Sequence, residues 1–143
     1  MFQRRKYLKR NVVRPITTED IDLQGEALNQ SDLIVAADLA LRYYLIRQYD
    51  GDGVQCFTCP VSSGWKYMEV GHFISRTVYL LRWDIRNVKP QCPKCNQAGG
   101  RREIYESNLE QLQPGLPNEL ILLSHQPFRL TNDFILQKIR SLQ

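Results

Sequence analysis

The stretch that decides how this chain folds runs from Cys56-Phe-Thr-Cys59 through Gly71-His72-Phe73 and Asn87 to Gln91-Cys92-Pro-Lys-Cys95-Asn96. All four cysteines of the 143-residue sequence stand in its two Cys-x-x-Cys pairs. A tight Cys-x-x-Cys turn aims two sulfurs at one point, and two such turns on separate loops supply the four thiolates of a closed tetrahedral site. Neither pair contains a histidine, so Cys56, Cys59, Cys92 and Cys95 are expected to hold a structural Zn²⁺ rather than a catalytic one. Two other readings compete. A redox pair wants a βαβ context that the sequence does not display, and two disulfides want a secretion signal that it lacks. Because the surroundings of the cysteines are loop-rich, zinc is expected to supply much of the folding energy. Structural zinc contributes on the order of 10–16 kcal/mol of apparent binding free energy in small peptides.

Working outward, composition narrows the class of partner. The chain is 43% hydrophobic, ordinary for a globular domain, and carries a net charge of +4. That charge is segregated. Residues 1–14 hold six Lys/Arg and no acid, residues 15–65 are strongly acidic, and residues 66–102 hold eight Lys/Arg against only Glu69 and Asp84. A basic concentration around the cysteine motif is the footprint of a phosphate-binding surface, against the commoner fate of a merely solvated face. No apolar run is long enough to cross a membrane, and the basic N-terminus has no hydrophobic segment behind it. The expected location is a reducing cytoplasm, where thiolates bind zinc instead of pairing.

In chain order, residues 1–30 read as a basic arm with little structure of its own. Ser31 offers an N-cap, and a helical pattern runs to about Tyr49, with Ile34, Ala37, Leu41, Tyr44 and Leu45 on one face. Asp50-Gly-Asp-Gly53 ends it. Trp65 to Val70 reads as a strand that delivers His72 at its end. A long loop through Arg76, Tyr79, Arg82, Trp83 and Arg86 follows, and Asn87 to Gln91 reads as a short second strand. A helix is expected from about Arg102 to Leu112, broken by Pro114-Gly-Leu-Pro117. One or two short helices then follow, the last capped by Thr131 or Asn132. The resulting organisation is an arm over 1–30, a zinc-clipped core with leading and following helices over 31–112, and a helical extension over 113–143.

A strand, a histidine, a loop, an asparagine and a further ligand next to a zinc knuckle make up the layout of a ββα-metal (HNH) nuclease. Phosphodiester hydrolysis needs a base to deprotonate water and a hard cation to carry the charge that develops on the leaving oxygen. His72 suits the base, since neutral imidazole is available at pH 7. Asn87 would tie the loop that orients it. Asn96, placed by the adjacent zinc ligand, offers a carbonyl oxygen to Mg²⁺ or Mn²⁺, but a hard cation also wants an anionic oxygen. Glu69 and Asp84 are the acids at hand. Arg76, Arg82, Arg86 and Lys94 are the candidate phosphate contacts, and Tyr79 and Trp83 the aromatics that would stack on unpaired bases or else pack into the domain. His125, outside the motif, reads as structural.

The run Cys56-x-x-Cys59, Gly71-His72-Phe73, Ser75-Arg76, Leu81-Arg82, Asn87-Val88, Gln91-Cys92-x-x-Cys95-Asn96 resembles the lambdoid phage NinG (Rap) recombination proteins. The helix leading into Tyr44, Ile46-Arg47 and Asp50 and the tail from Glu119-Leu120 to Phe134 are similar to that family too. The Cys-x-x-Cys-Asn ending is also similar to phage recombination endonuclease VII, a junction-resolving enzyme. Carried over by position, the resemblance implies His72 as base and Asn96 as metal ligand. An acid expected immediately before the histidine is here Gly71, and an acid after the Leu-Arg pair also looks like the NinG family, which favours Asp84 as the missing ligand.

The expectation is an α+β protein with a small ββα-metal core clipped by a four-cysteine zinc site and flanked by helices. It would be a metal-dependent endonuclease for branched or forked DNA in phage-type recombination, using structural Zn²⁺ and catalytic Mg²⁺ or Mn²⁺ in a bacterial host cell. A homodimer and other recombination proteins are the further partners the resemblance suggests. The competing expectation is a zinc-stabilised DNA-binding module or recombination adaptor without catalysis.

Overall fold

The computed structural model describes residues 28–49 and 53–143. Of the basic arm expected over 1–30, residues 1–27 lie outside the described residues, as do residues 50–52 of the stretch expected to end the first helix. The architecture is α+β, with small antiparallel sheets among helices. In order come helix α1 (Gln30–Gln48), strands β1 (Val54–Gln55) and β2 (Ser62–Ser63), a 3-10 turn at Trp65–Tyr67, and strand β3 (Glu69–His72). Helix α2 (Tyr79–Arg82), a 3-10 turn at Ile85–Asn87, strand β4 (Val88–Gln91), helix α3 (Pro93–Gln97) and a turn at Gly99–Arg101 follow. Helices α4 (Arg102–Leu112), α5 (Leu116–Ser124) and α6 (Asn132–Ser141) complete the chain. The described residues fall into two compact units, one holding α1 and residues 129–143 and the other residues 48–128.

In the first unit, α1 is capped by Asn29 and not by Ser31. The Asn29 side-chain oxygen accepts from the Asp32 N–H at 2.9 Å, and its backbone carbonyl accepts from Leu33 at 3.1 Å. An amide oxygen satisfies an orphan N–H as well as a hydroxyl does, and Asn29 stands where the chain first turns helical. The buried stripe is Leu33, Ala36, Ala37, Ala40, Leu41 and Leu45, one position off the expected face, leaving Ile34 and Tyr44 half-buried. Helix α6 starts on Thr131 as expected, its hydroxyl oxygen accepting from the Phe134 N–H at 3.2 Å, and buries Ile135, Ile139 and Leu142. Gln30 bonds Asn132 at the two helix starts and Arg47 bonds the Leu142 carbonyl at the two ends, so α1 and α6 run in the same sense.

The second unit is built on two hairpins. Strands β1 and β2 pair antiparallel, Val54 opposite Ser63, and flank the first cysteine turn. Strands β3 and β4 also pair antiparallel, with Glu69 opposite Gln91, Val70 opposite Pro90, Gly71 opposite Lys89 and His72 opposite Val88. The strand expected from Trp65 is in fact a 3-10 turn followed by a strand that starts only at Glu69. Tyr67 and Met68 donate back to Gly64 and Trp65, and this turn buries Met68 among Val54, Cys56, Cys92 and Cys95. Period-two patterning over three or four residues does not separate a strand from a tight turn. The expected long loop holds the short helix α2 and a turn capped by Asp84, whose carboxylate accepts from the Arg86 N–H. Behind the hairpin a larger apolar cluster joins Phe73, Ile74 and Leu81 to Tyr105, Leu109, Leu116 and Leu120, anchoring α4 and α5.

Candidate metal centre and histidine hairpin

The four cysteines converge. Their sulfurs lie within 4.8 Å of one another, Cys59 and Cys92 at 3.7 Å, and no pair is joined as a disulfide. A tetrahedron with metal–sulfur bonds of about 2.3 Å has edges of about 3.8 Å, so the spacing suits an ion such as Zn²⁺. Local structure explains the convergence. Cys56 leaves β1 into a turn closed by its N–H on the Val61 carbonyl at 2.8 Å. Cys92 caps α3 and Cys95 stands one turn on, with Pro93 in the first helical turn, where a missing N–H costs nothing.

The surroundings set the sulfurs apart in acidity. Burial pushes the Cys56 thiol up, but N–H groups of Cys92 and Thr58, the Thr58 hydroxyl and Cys59 outweigh it and bring it down to about 6. For Cys59 the Val61 N–H acts downward, yet burial and the three neighbouring cysteines push it up to about 12. Four thiols sharing a point cannot all ionise without a cation, whereas a divalent metal deprotonates all of them. A further layer of bonds reaches from strand to sulfur. Gln91 Nε2 donates to the Thr58 hydroxyl and to the Gly100 carbonyl, each at 2.8 Å, and that hydroxyl lies 3.6 Å from Cys56 Sγ. Sequence reading missed Gln91 and Thr58, because a bond between side chains 33 positions apart leaves no local pattern.

Beside this centre, β3, β4 and α3 form a strand, strand, helix succession with His72 at the end of its first strand. His72 Nε2 lies 2.9 Å from the Arg82 carbonyl. A carbonyl oxygen only accepts, so the neutral ring carries its proton on Nε2 and its lone pair on Nδ1. Asn87 is 0% exposed and fully engaged. Its oxygen accepts from the Ile74 N–H at 2.7 Å, and its amide nitrogen donates to the carbonyls of Ile74 and Leu81 at 3.0 and 3.1 Å. It clasps the two ends of the segment that carries Arg82, so it positions the histidine and cannot itself touch a phosphate.

Of the expected hard-cation ligands the structure unites two. Asn96 Nδ2 donates to the Glu69 carboxylate at 2.6 Å, with Gln97 on its other oxygen at 3.4 Å. Asp84, favoured from the sequence, serves elsewhere. It caps the turn at Ile85 and holds the Arg86 guanidinium at 2.7 and 3.0 Å. Gly71, where an acid was expected, has no room for one. A β-carbon there would stand 2.2 Å from Gln91 Oε1 and 2.6 Å from two further Gln91 atoms, and Gln91 is itself 0% exposed. Gln91 Oε1 has no hydrogen-bond partner among the described residues and sits where a side chain at 71 would begin.

Two of the four expected phosphate contacts remain available. Arg76 and Lys94 are exposed. Arg82 is buried at 8% exposure, donates to the Arg76 carbonyl and lies over the Tyr79 and Trp83 rings. Arg86 is held by Asp84 and Glu119, and these carboxylates raise its pKa beyond the usual arginine value. Trp83 is buried too, with Tyr79 6.0 Å away, so this pair packs into the domain. Lys66, Arg101 and Arg102 are exposed cations of the same segment, and half-buried Lys89, opposite Gly71, has its pKa lowered by burial. His125 lies at the end of α5 with Nδ1 2.7 Å from the Ile121 carbonyl. Among the described residues no helix is long and apolar enough to cross a membrane. Compared with family models, with curated proteins and with solved structures, the chain matches none.

Proposed function

We propose that this chain is a metal-dependent DNA endonuclease of the HNH, ββα-metal class that acts on branched recombination intermediates, as its resemblance to the NinG proteins implies. The supporting observation is His72, placed at the end of a strand in a hairpin-plus-helix unit and oriented through the Arg82 carbonyl by a segment that Asn87 clasps. His72 Nδ1 takes the proton of the attacking water, and Arg76, Lys94, Lys66, Arg101 and Arg102 hold the phosphate backbone without reading sequence. Glu69 and Asn96 would hold a hard cation, which when bound stabilises charge on the leaving oxygen. The cysteine centre would hold structural zinc and keep β4 and α3 in register with β3.

A zinc-built DNA-binding module without catalysis is the second reading, and one feature favours it. Alternation along β3 points Glu69 and His72 to opposite faces, with roughly 10 Å of strand between them, and Gly71 contributes no ligand. The test is cleavage of labelled linear, forked and four-way DNA by zinc-loaded protein in Mg²⁺, in Mn²⁺ and without added hard metal, beside His72→Ala. Metal-dependent cutting that His72→Ala abolishes, with zinc content and DNA binding intact, supports the nuclease. Binding without cutting in any metal supports the module.

A further inference from the structure

One surface of the second unit borders the cysteine centre at Cys92 and is not used by the histidine. A cleft of about 450 Å³ opens beside the second cysteine turn. It is lined by the apolar Val61, Tyr67, Met68 and Pro93, by Lys66, Glu69 and Ser63, and by Cys92 of the cysteine centre. The volume falls within the ~300–1,000 Å³ of small-ligand sites, and the make-up, apolar walls under a few polar groups, is the same. Tyr67 is 62% exposed, so its ring is not part of the packed core. Its neighbour Lys66 holds Nζ 5.6 Å from the ring centre.

We propose that this cleft takes a single unpaired nucleobase, stacked on Tyr67, with its phosphate on Lys66. The proposal rests on the nucleic-acid reading above and names what that surface selects. Three observations converge on this occupant. An aromatic face bounded by aliphatic walls suits the flat π-surface of a base, which in a duplex is covered by its neighbours. The Lys66 ammonium lies over the Tyr67 ring and would turn from it to the phosphate of a nucleotide stacked there. The surrounding segment exposes Lys66, Arg76, Lys94, Arg101 and Arg102 and so draws a polyanion. Stacking of this kind tolerates any base, so the cleft distinguishes unpaired from paired DNA and not one sequence from another. The buried Trp83 cannot perform this task, and Tyr67 takes it over.

The test uses zinc-loaded full-length protein and forked DNA with 2-aminopurine at an unpaired branch position, beside fully paired duplex of the same length. Binding is measured by anisotropy and stacking by 2-aminopurine fluorescence, for wild type, Tyr67→Ala, Tyr67→Phe and Lys66→Ala. Wild type is expected to prefer the fork and quench the probe. Tyr67→Ala should lose roughly tenfold in fork affinity with the quench, keep its duplex affinity, and recover both in Tyr67→Phe. Lys66→Ala should weaken fork binding and lower its salt slope by about one. Equal fork preference and equal quenching in wild type and Tyr67→Ala, with zinc content unchanged, overturn the cleft assignment and leave DNA binding standing. Wild type that binds no DNA overturns both. Self-association in sedimentation that depends on Tyr67 while fork binding does not assigns the cleft to a protein surface and overturns the proposal.

Discussion

Gly71→Ala tests why this hairpin lacks an acid before its histidine. The new methyl would begin 2.2 Å from Gln91 Oε1, and the obstacle is a fully buried side chain held at its other end by Thr58 and Gly100. Overpacking of this kind costs ~1–3 kcal/mol, and displacing Gln91 forfeits two buried hydrogen bonds of about 1 kcal/mol each. The expected loss is about 3–5 kcal/mol. Gln91→Ala alone breaks the same two bonds and leaves a hole beside Gly71, so it should cost a similar amount. The double variant decides the matter, because the methyl added at position 71 then occupies space that Gln91 has vacated. Its stability should match that of Gln91→Ala, giving a coupling energy as large as the cost of Gly71→Ala itself. The assay is urea unfolding of zinc-loaded protein, with chelator-driven zinc release as a second readout, since Gln91 reaches Cys56 through Thr58. Strictly additive single costs, or a Gly71→Ala loss below about 0.5 kcal/mol, would refute the steric account. Gly71 would then be an absent ligand, not a required vacancy.

Other consequences follow from the same geometry. Stripping the metal with a chelator, or replacing Cys95 with Ser, should abolish zinc binding and the cooperative unfolding of residues 48–128, read by circular dichroism alongside metal content. Asn87→Ala leaves the Ile74 N–H and the Ile74 and Leu81 carbonyls without their partner. It should cost about 3 kcal/mol or more in urea unfolding, and a smaller loss would deny the clasp its role. Glu69→Gln removes the anionic oxygen beside Asn96 and should raise the Mg²⁺ concentration needed for cleavage by roughly tenfold or more. Asp84→Asn keeps an oxygen for the Arg86 N–H and loses the charge that pairs with the Arg86 guanidinium, so it should lower stability by about 1 kcal/mol or less and leave that metal dependence unchanged; the reverse outcome would return the ligand role to Asp84. Arg76→Ala and Lys94→Ala should each reduce the salt slope of DNA binding by about one, whereas Arg86→Ala, whose charge is already balanced by two carboxylates, should not.

The features legible in the sequence were local or stoichiometric. Four cysteines in two x-x-spaced pairs specify convergence on one point, because so short a loop leaves few other directions for the sulfurs. Helices α4 and α6 were legible from periodicity, and for α6 from its Thr131 cap, since such signals act within a turn or two of chain. Which charged residues remain on the surface emerged only with the folded chain. Arg82 and Arg86 look like Arg76 in the sequence, yet one lies over Tyr79 and Trp83 and the other between Asp84 and Glu119. Glu69 over Asp84 as the partner of Asn96 depends on α3 folding back onto β3, a contact across 27 positions. Gln91 filling the space beside Gly71 depends on strand register, which no window of sequence displays. Patterning within a window reports which face a residue takes, and only packing between distant segments settles what that face meets.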